Sequence, residues 1–66
     1  MIDIKIIKDD NNIEIYNCGV LILEENSYND IVLTIKEALT IIDDLYKIKV
    51  LNEILESIKH YEMVVA

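Results

Sequence analysis

The sequence has little of what usually reinforces a small fold. It contains one cysteine, one glycine and no proline in 66 residues. The single cysteine, Cys18, excludes an internal disulfide, and no cluster of histidine and cysteine offers metal ligands. A chain this short buries a small fraction of its surface, so without these supports it usually depends on a partner chain. We therefore predict no cofactor, and the lone thiol is typical of a reducing compartment such as a cytoplasm.

Positive charge is also scarce. Six lysines and no arginine stand against 13 acidic residues, which gives a net charge of −7. Direct nucleic-acid binding requires a basic surface and commonly uses arginine side chains, so the composition argues against this class of function. Residues 1–33 carry seven acidic side chains and two lysines, so the negative charge is concentrated in the N-terminal half.

Long hydrophobic runs are missing as well. No apolar run approaches the ~18–20 residues of a membrane span, and the first residues lack the basic-then-apolar layout of a signal peptide. The apolar fraction is nevertheless 53%, which is typical of a packed core and not of a disordered chain. We expect one small domain over residues 1–66, with no membrane partner, in the cytoplasm (of a host cell if the chain is phage-encoded).

The N-terminal residues alternate as strands do. Residues 2–8 place three isoleucines on one side, which is the period of a half-buried strand. Residues 9–12, Asp-Asp-Asn-Asn, form a strong turn signal, and residues 13–16 alternate again. Residues 17–19, Asn-Cys-Gly, predict a second turn in which Asn17 and Gly19 supply positive φ angles.

The next segment is apolar on both faces. Residues 20–23 read Val-Leu-Ile-Leu, which favours a central or doubly covered strand. Glu24 and Glu25 close it. Residues 1–25 are therefore predicted to form a three-stranded antiparallel β-meander.

Helical periodicity begins after this meander. Ser27, with Asp30 three residues later, resembles a helix-capping pair. From Asn29 onward the chain has neither glycine nor proline. A first apolar stripe recurs at three- and four-residue steps and is expected to cover the meander; it comprises Ile31, Ile35, Ala38, Ile42 and Leu45.

A second apolar stripe lies on nearly the opposite side of a continuous helix. It comprises Leu51, Ile54, Leu55, Ile58 and Tyr61. One straight helix cannot place both stripes on one sheet. Either the chain turns near Tyr46–Val50 and forms a helical hairpin, or one long helix packs its second half on another subunit. Both alternatives give an α+β fold, with a helical half at residues 27–66 packed on one face of the sheet.

The residues that could carry chemistry are sparse and scattered. Cys18 and the single histidine, His60, lie far apart in the sequence, and no oxyanion motif accompanies them. The sequence also lacks a glycine-rich phosphate-binding loop. We expect that the protein is not an enzyme and holds no metal.

Binding to another protein is the function that these features favour. The candidate acidic face comprises Asp9, Asp10, Glu14, Tyr16, Glu24 and Glu25. Carboxylates with an aromatic anchor suit a larger protein with a basic surface. We expect an inhibitor or regulator. A chain of this size and charge also suits a phage or mobile-element anti-defence protein, for example a nucleic-acid mimic or an anti-CRISPR.

The alternative is an assembly module. In that hypothesis the second stripe pairs with a second copy and forms a homodimer. The self-association residues would be Leu51, Leu55, Ile58 and Tyr61.

Overall fold

The computed structural model describes residues 1–65, with the side chains of residues 1–60. It has a three-stranded sheet followed by two helices, so the predicted α+β fold is confirmed. The elements are β1 (Ile4–Asp9), β2 (Asn12–Asn17), β3 (Val20–Glu25), α1 (Tyr28–Leu39) and α2 (Leu45–Val65).

The sheet is an antiparallel meander in the order β1-β2-β3. Cys18 and Gly19 connect β2 to β3 with φ angles of 53° and 82°. Two consecutive positive φ angles are typical of the tight turns that match strand twist. The turn was predicted in the right place, but Cys18 takes the conformation expected of Asn17, which stays in β2 and is buried.

The prediction that residues 20–23 form a central or doubly covered strand is wrong. β2 is the central strand, and β3 lies at an edge of the sheet. Within β3, Leu23 packs against the core, while Val20, Leu21 and Ile22 are exposed. β3 therefore has apolar residues on both faces although the helices cover only one of them.

One layer of helices covers one face of the sheet. α1 contacts β3 and α2, and α2 also contacts β1. The core lies between these layers and is almost entirely aliphatic. Its buried members are Ile13, Ile15, Ile31, Ile35, Val50, Leu51, Ile54 and Ile58.

The helical half is a hairpin, the first of the two alternatives that the sequence left open. Its break lies at residues 40–44, and the predicted turn at residues 46–50 is helical instead. Side chains shape this break without glycine or proline. Thr40 donates its hydroxyl to the Glu37 carbonyl at 2.6 Å, and Asp44 Oδ1 accepts the backbone N–H groups of Tyr46 and Lys47 at 2.9 and 3.1 Å.

The break brings both apolar stripes to the same sheet. In the first stripe, Ile31 and Ile35 are buried, but Leu45 is 77% exposed and does not cover the meander as predicted. In the second stripe, Leu51 and Ile58 are buried in the core of the same chain. A second subunit is therefore not required to cover these two residues.

A small polar network joins the residues before β1, the end of β2 and the start of α2. The buried Asn17 accepts the backbone N–H of Asp3 at 2.9 Å and donates its amide to the Tyr46 hydroxyl at 3.0 Å. Tyr46 in turn donates its hydroxyl to the Met1 carbonyl at 2.6 Å. Since a buried polar group is costly when unpaired, the buried Asn17 amide favours this placement of Tyr46 and of the start of α2 against the sheet.

Candidate functional site

The candidate site is the sheet face that the helices leave uncovered. Successive side chains of a strand point to opposite faces, so the burial of Ile13 and Ile15 places Glu14 and Tyr16 on the far side. The strand register adds their neighbours from β1 and β3, and Ile22, which has no partner in β2, is included because it is exposed beside Leu21. We call this surface the outer sheet face; it comprises Lys5, Ile7, Glu14, Tyr16, Leu21, Ile22 and Glu24.

Apolar side chains occupy an unusual share of the outer sheet face. Ile7, Leu21 and Ile22 are 43%, 46% and 42% exposed. A register shift at Ile15/Tyr16 leaves Ile22 without a partner in β2, so β3 bulges beside Tyr16. The solvent face of an antiparallel sheet is normally polar. Clustered exposed apolar residues are instead typical of interaction surfaces.

Two carboxylates face each other across the same surface. Glu14 of β2 is paired in register with Glu24 of β3. Like charges directly opposite each other destabilise a sheet. Asn12 offsets part of this repulsion by donating its side-chain amide to Glu24 Oε2 at 2.8 Å. The pair therefore concentrates negative charge at a stability cost in the isolated protein.

Tyr16 lies between the apolar and the acidic parts of the surface. Its pKa is raised above 10.0, first by desolvation and then by the charge of Glu14, by a hydrogen bond to Glu14 and by the charge of Glu24. The phenol therefore stays protonated throughout the physiological range and remains a hydrogen-bond donor. The ring also borders a shallow cleft of about 320 Å³, lined by Asp3, Lys5, Ile7, Tyr16 and Gly19.

The predicted acidic residues do not all share this surface. Glu14, Tyr16 and Glu24 lie together on it, whereas Asp9 and Asp10 lie where β1 turns into β2. Glu25 is placed wrongly by the prediction. It pairs with Ile13, whose side chain is buried, and accepts the Thr34 hydroxyl of α1 at 2.8 Å. The alternation of β3 puts Glu25 on the helical side.

Sequence reasoning missed the apolar members of the outer sheet face. Leu21 and Ile22 were assigned to a covered strand, and Ile7 was not singled out. The available signal was Ile7 itself, because it breaks the alternation of β1 and stands beside Ile6. An isoleucine on the solvent side of a strand is a reason to look for a partner there.

The predicted self-association residues are mostly internal. Leu51 and Ile58 belong to the core, and Leu55 is half-buried beside it. The side chain of Tyr61 lies outside the described residues. The described part of the stripe that suggested a helix-mediated homodimer thus packs mainly within one chain.

The structure brings no reactive constellation together in the part of the chain that it describes. Cys18 is exposed in the β2–β3 turn, where its Sγ lies 3.6 Å from the Met1 carbonyl and from Asn17 Oδ1. His60 lies far along α2. Among the described residues no three His, Cys, Asp or Glu side chains are grouped to hold a metal ion. Within the same range, no helix has the length and apolar character needed to cross a membrane.

Comparison with protein-family models, with curated proteins and with solved structures gave no match for this chain. Its function is therefore inferred from its own residues and their geometry.

Proposed function

We propose that this chain is a binding module that docks its outer sheet face onto a basic surface of a larger protein. The observation that carries the proposal is the combination of exposed Ile7, Leu21 and Ile22 with the facing carboxylates of Glu14 and Glu24. Each half of this combination has a separate physical role in association.

The apolar half supplies contact area. Tyr16 is held on the central strand by neighbours on both sides, so its ring loses little conformational freedom when a partner covers it. Tyrosine offers a large apolar ring with a polar tip and is enriched among residues that dominate binding energy. The shallow cleft beside the ring gives room for one side chain of the partner.

The acidic half supplies orientation and charge complementarity. In the free protein, Glu14 and Glu24 repel each other across the strand pair. A lysine or arginine placed between them by the partner would relieve this repulsion and form charge-assisted hydrogen bonds. The net charge of −7 would also accelerate encounter with a basic surface, most strongly at low salt.

Occupying a basic surface is a direct way to inhibit or regulate a larger protein. Where that surface is a nucleic-acid groove, the spaced carboxylates would act as a phosphate mimic. A phage or mobile-element anti-defence role, such as that of an anti-CRISPR, is one specific form of this proposal, and it is decided by the identity of the partner.

The test compares partner capture by matched variants. Tagged wild-type chain, Glu14→Lys, Tyr16→Ala and the control Glu53→Lys are incubated with lysate of the source cell at low and high salt. Glu53 is an exposed residue of α2, so the control makes the same charge change away from the sheet. Bound proteins are identified by mass spectrometry, and affinities are then measured with the purified partner.

We expect a partner that wild type and Glu53→Lys retain, that Glu14→Lys and Tyr16→Ala lose, and that high salt releases. Loss of one buried interface anchor should weaken binding by at least about tenfold. A partner retained equally by all four proteins would show that binding uses another surface.

A further inference from the structure

The cleft beside Tyr16 has two apolar walls. It lies between β1 and β2, near the turn at residues 18–19, and has a volume of about 320 Å³. Ile7 and the ring of Tyr16 form the walls, and Gly19 adds no side chain at the end nearest the turn. This volume lies at the lower end of the range for small-molecule sites, so it suits one side chain better than a cofactor.

The rim of the cleft carries one charge of each sign, from Asp3 and Lys5. Asp3 is held in place through its backbone, whose N–H is donated to Asn17 Oδ1 at 2.9 Å and whose carbonyl accepts the Cys18 N–H at 2.9 Å. Lys5 is paired in register with Tyr16. A cation in the cleft would be repelled by Lys5 and an anion by Asp3. The rim therefore favours a neutral occupant.

An aromatic ring would use all of these surroundings. It can pack on Ile7 and meet the Tyr16 ring in an offset or edge-to-face arrangement, which adds to the free energy of area burial. The Lys5 ammonium, placed within about 6 Å of the face of such a ring, adds a cation–π attraction. An aliphatic side chain gains only the apolar contact, so the cleft favours an aromatic one.

We propose that the cleft receives a neutral aromatic side chain (phenylalanine, tyrosine or tryptophan) of the partner protein. This inference rests on the proposed function, because it adds a second anchor to a partner whose basic residue meets Glu14 and Glu24. The Lys5–Tyr16 pair lies two residues along β2, and one strand across, from these carboxylates. Strand spacing and rise then place the partner's aromatic and basic side chains roughly 8–10 Å apart.

The first test is a selection of random peptides displayed on phage against the immobilised chain. Wild type is compared with Ile7→Trp, which fills the cleft, and with Glu14→Lys, which changes only the acidic anchor. The matched control, Leu33→Trp, adds the same ring at an exposed position of α1. Ile7→Ala, which removes one wall of the cleft, is selected in parallel in case the larger side chain disturbs β1. Circular dichroism checks that each variant is folded.

Wild type and Leu33→Trp should both enrich peptides that combine an aromatic residue with a lysine or arginine. The pools selected on Ile7→Trp and Ile7→Ala should lose the aromatic residue and keep the basic one, whereas Glu14→Lys should do the reverse. A synthetic peptide from the wild-type pool should bind Ile7→Trp about fivefold or more weakly than wild type. Replacing its aromatic residue with leucine should cause a similar loss on wild type.

The outcomes separate this inference from the proposed function. Enrichment of basic residues without an aromatic one would overturn the aromatic anchor and leave the basic partner standing. An aromatic residue enriched equally on wild type and Ile7→Trp would also overturn it, because the ring would then bind elsewhere. A wild-type selection that enriches neither kind of residue would overturn both proposals.

The second test uses two neutral probes, N-acetyl-tryptophanamide and N-acetyl-leucinamide, followed by NMR. The tryptophan probe should shift the amide resonances of Lys5 and Gly19 in wild type and Leu33→Trp, with a dissociation constant above about 1 mM. It should not shift them in Ile7→Trp. Equal shifts from both probes would overturn the preference for an aromatic ring. Micromolar binding of the tryptophan probe would instead assign the cleft to a free aromatic molecule and overturn the partner's side chain as its occupant.

Discussion

The two faces of β2 divide stability and recognition between alternate residues of one strand. Ile13 and Ile15 are buried under the helices, while Glu14 and Tyr16 between and beside them face away. The core on the covered side is aliphatic, whereas the outer sheet face mixes apolar area with opposed carboxylates. The effects of substitutions on the free energy of unfolding should therefore differ between the two faces in size and even in sign.

The largest expected effect is on the covered face. Ile15→Ala removes a fully buried side chain from the centre of the core and should cost about 2–5 kcal/mol. A domain of this size has a total stability of roughly 3–10 kcal/mol, so a large part of the population should unfold. Urea denaturation followed by circular dichroism measures the change. A loss below about 1 kcal/mol would contradict the placement of Ile15 in a tightly packed core.

The polar network at the end of β2 should give the next largest effect. Asn17→Ala leaves the backbone N–H of Asp3 without its acceptor and should cost about 1–3 kcal/mol. Tyr46→Phe removes only the hydroxyl and should cost about 1 kcal/mol. Because the two residues share a hydrogen bond, the double variant should lose less than the sum of the two single losses. Strict additivity in denaturation would mean that the bond contributes nothing.

On the outer sheet face, a substitution should stabilise the chain instead of destabilising it. Glu24→Gln removes the charge opposite Glu14 and can keep the bond from Asn12, so it should stabilise the chain by up to about 1 kcal/mol. Thermal unfolding at low salt measures the gain, which should shrink when salt screens the pair. Glu53→Gln serves as a control with the same change of charge on α2. A destabilised Glu24→Gln would show that the carboxylate has a structural role in the free chain.

The smallest effect concerns the titration of Tyr16. Because its folded pKa is raised, the fold favours the neutral phenol; the resulting stability is fully present below about pH 10 and is lost as pH rises through the folded pKa. Above that pH, wild type should lose stability more steeply than Tyr16→Phe. Glu14→Gln should lower the Tyr16 pKa toward its usual value. Denaturation at each pH measures the loss of stability. Phenolate absorbance, taken as the difference between each protein and its own Tyr16→Phe counterpart, measures the Tyr16 pKa, and identical titrations of wild type and Glu14→Gln would contradict the coupling.

Local sequence patterns predicted the strands and helices better than they predicted what covers each of them. The cap at Ser27 is confirmed, since its hydroxyl accepts the Asp30 N–H at 3.2 Å. The alternation of β1 and β2 is confirmed because burial on one face leaves a period of two in the sequence. The same reasoning misplaced β3, since an apolar run looks alike whether a helix, a partner strand or solvent lies beside it. It assigned three of the seven residues of the candidate site, Glu14, Tyr16 and Glu24, but not the apolar residues beside them.

Composition and local periodicity were sufficient to predict the order of three strands and then helices, the acidic character of the N-terminal half and the two apolar stripes. The position of the turn in the helical half depends on packing. Thr40 lies at the end of α1 and Asp44 at the start of α2, and the break between them lets both apolar stripes pack on one sheet. The tertiary structure also decided that β3 is an edge and that Glu25 points toward α1. The turn, the edge position of β3 and the direction of Glu25 all depend on contacts between residues distant in the chain. The spacing of neighbouring residues in the sequence does not predict such contacts.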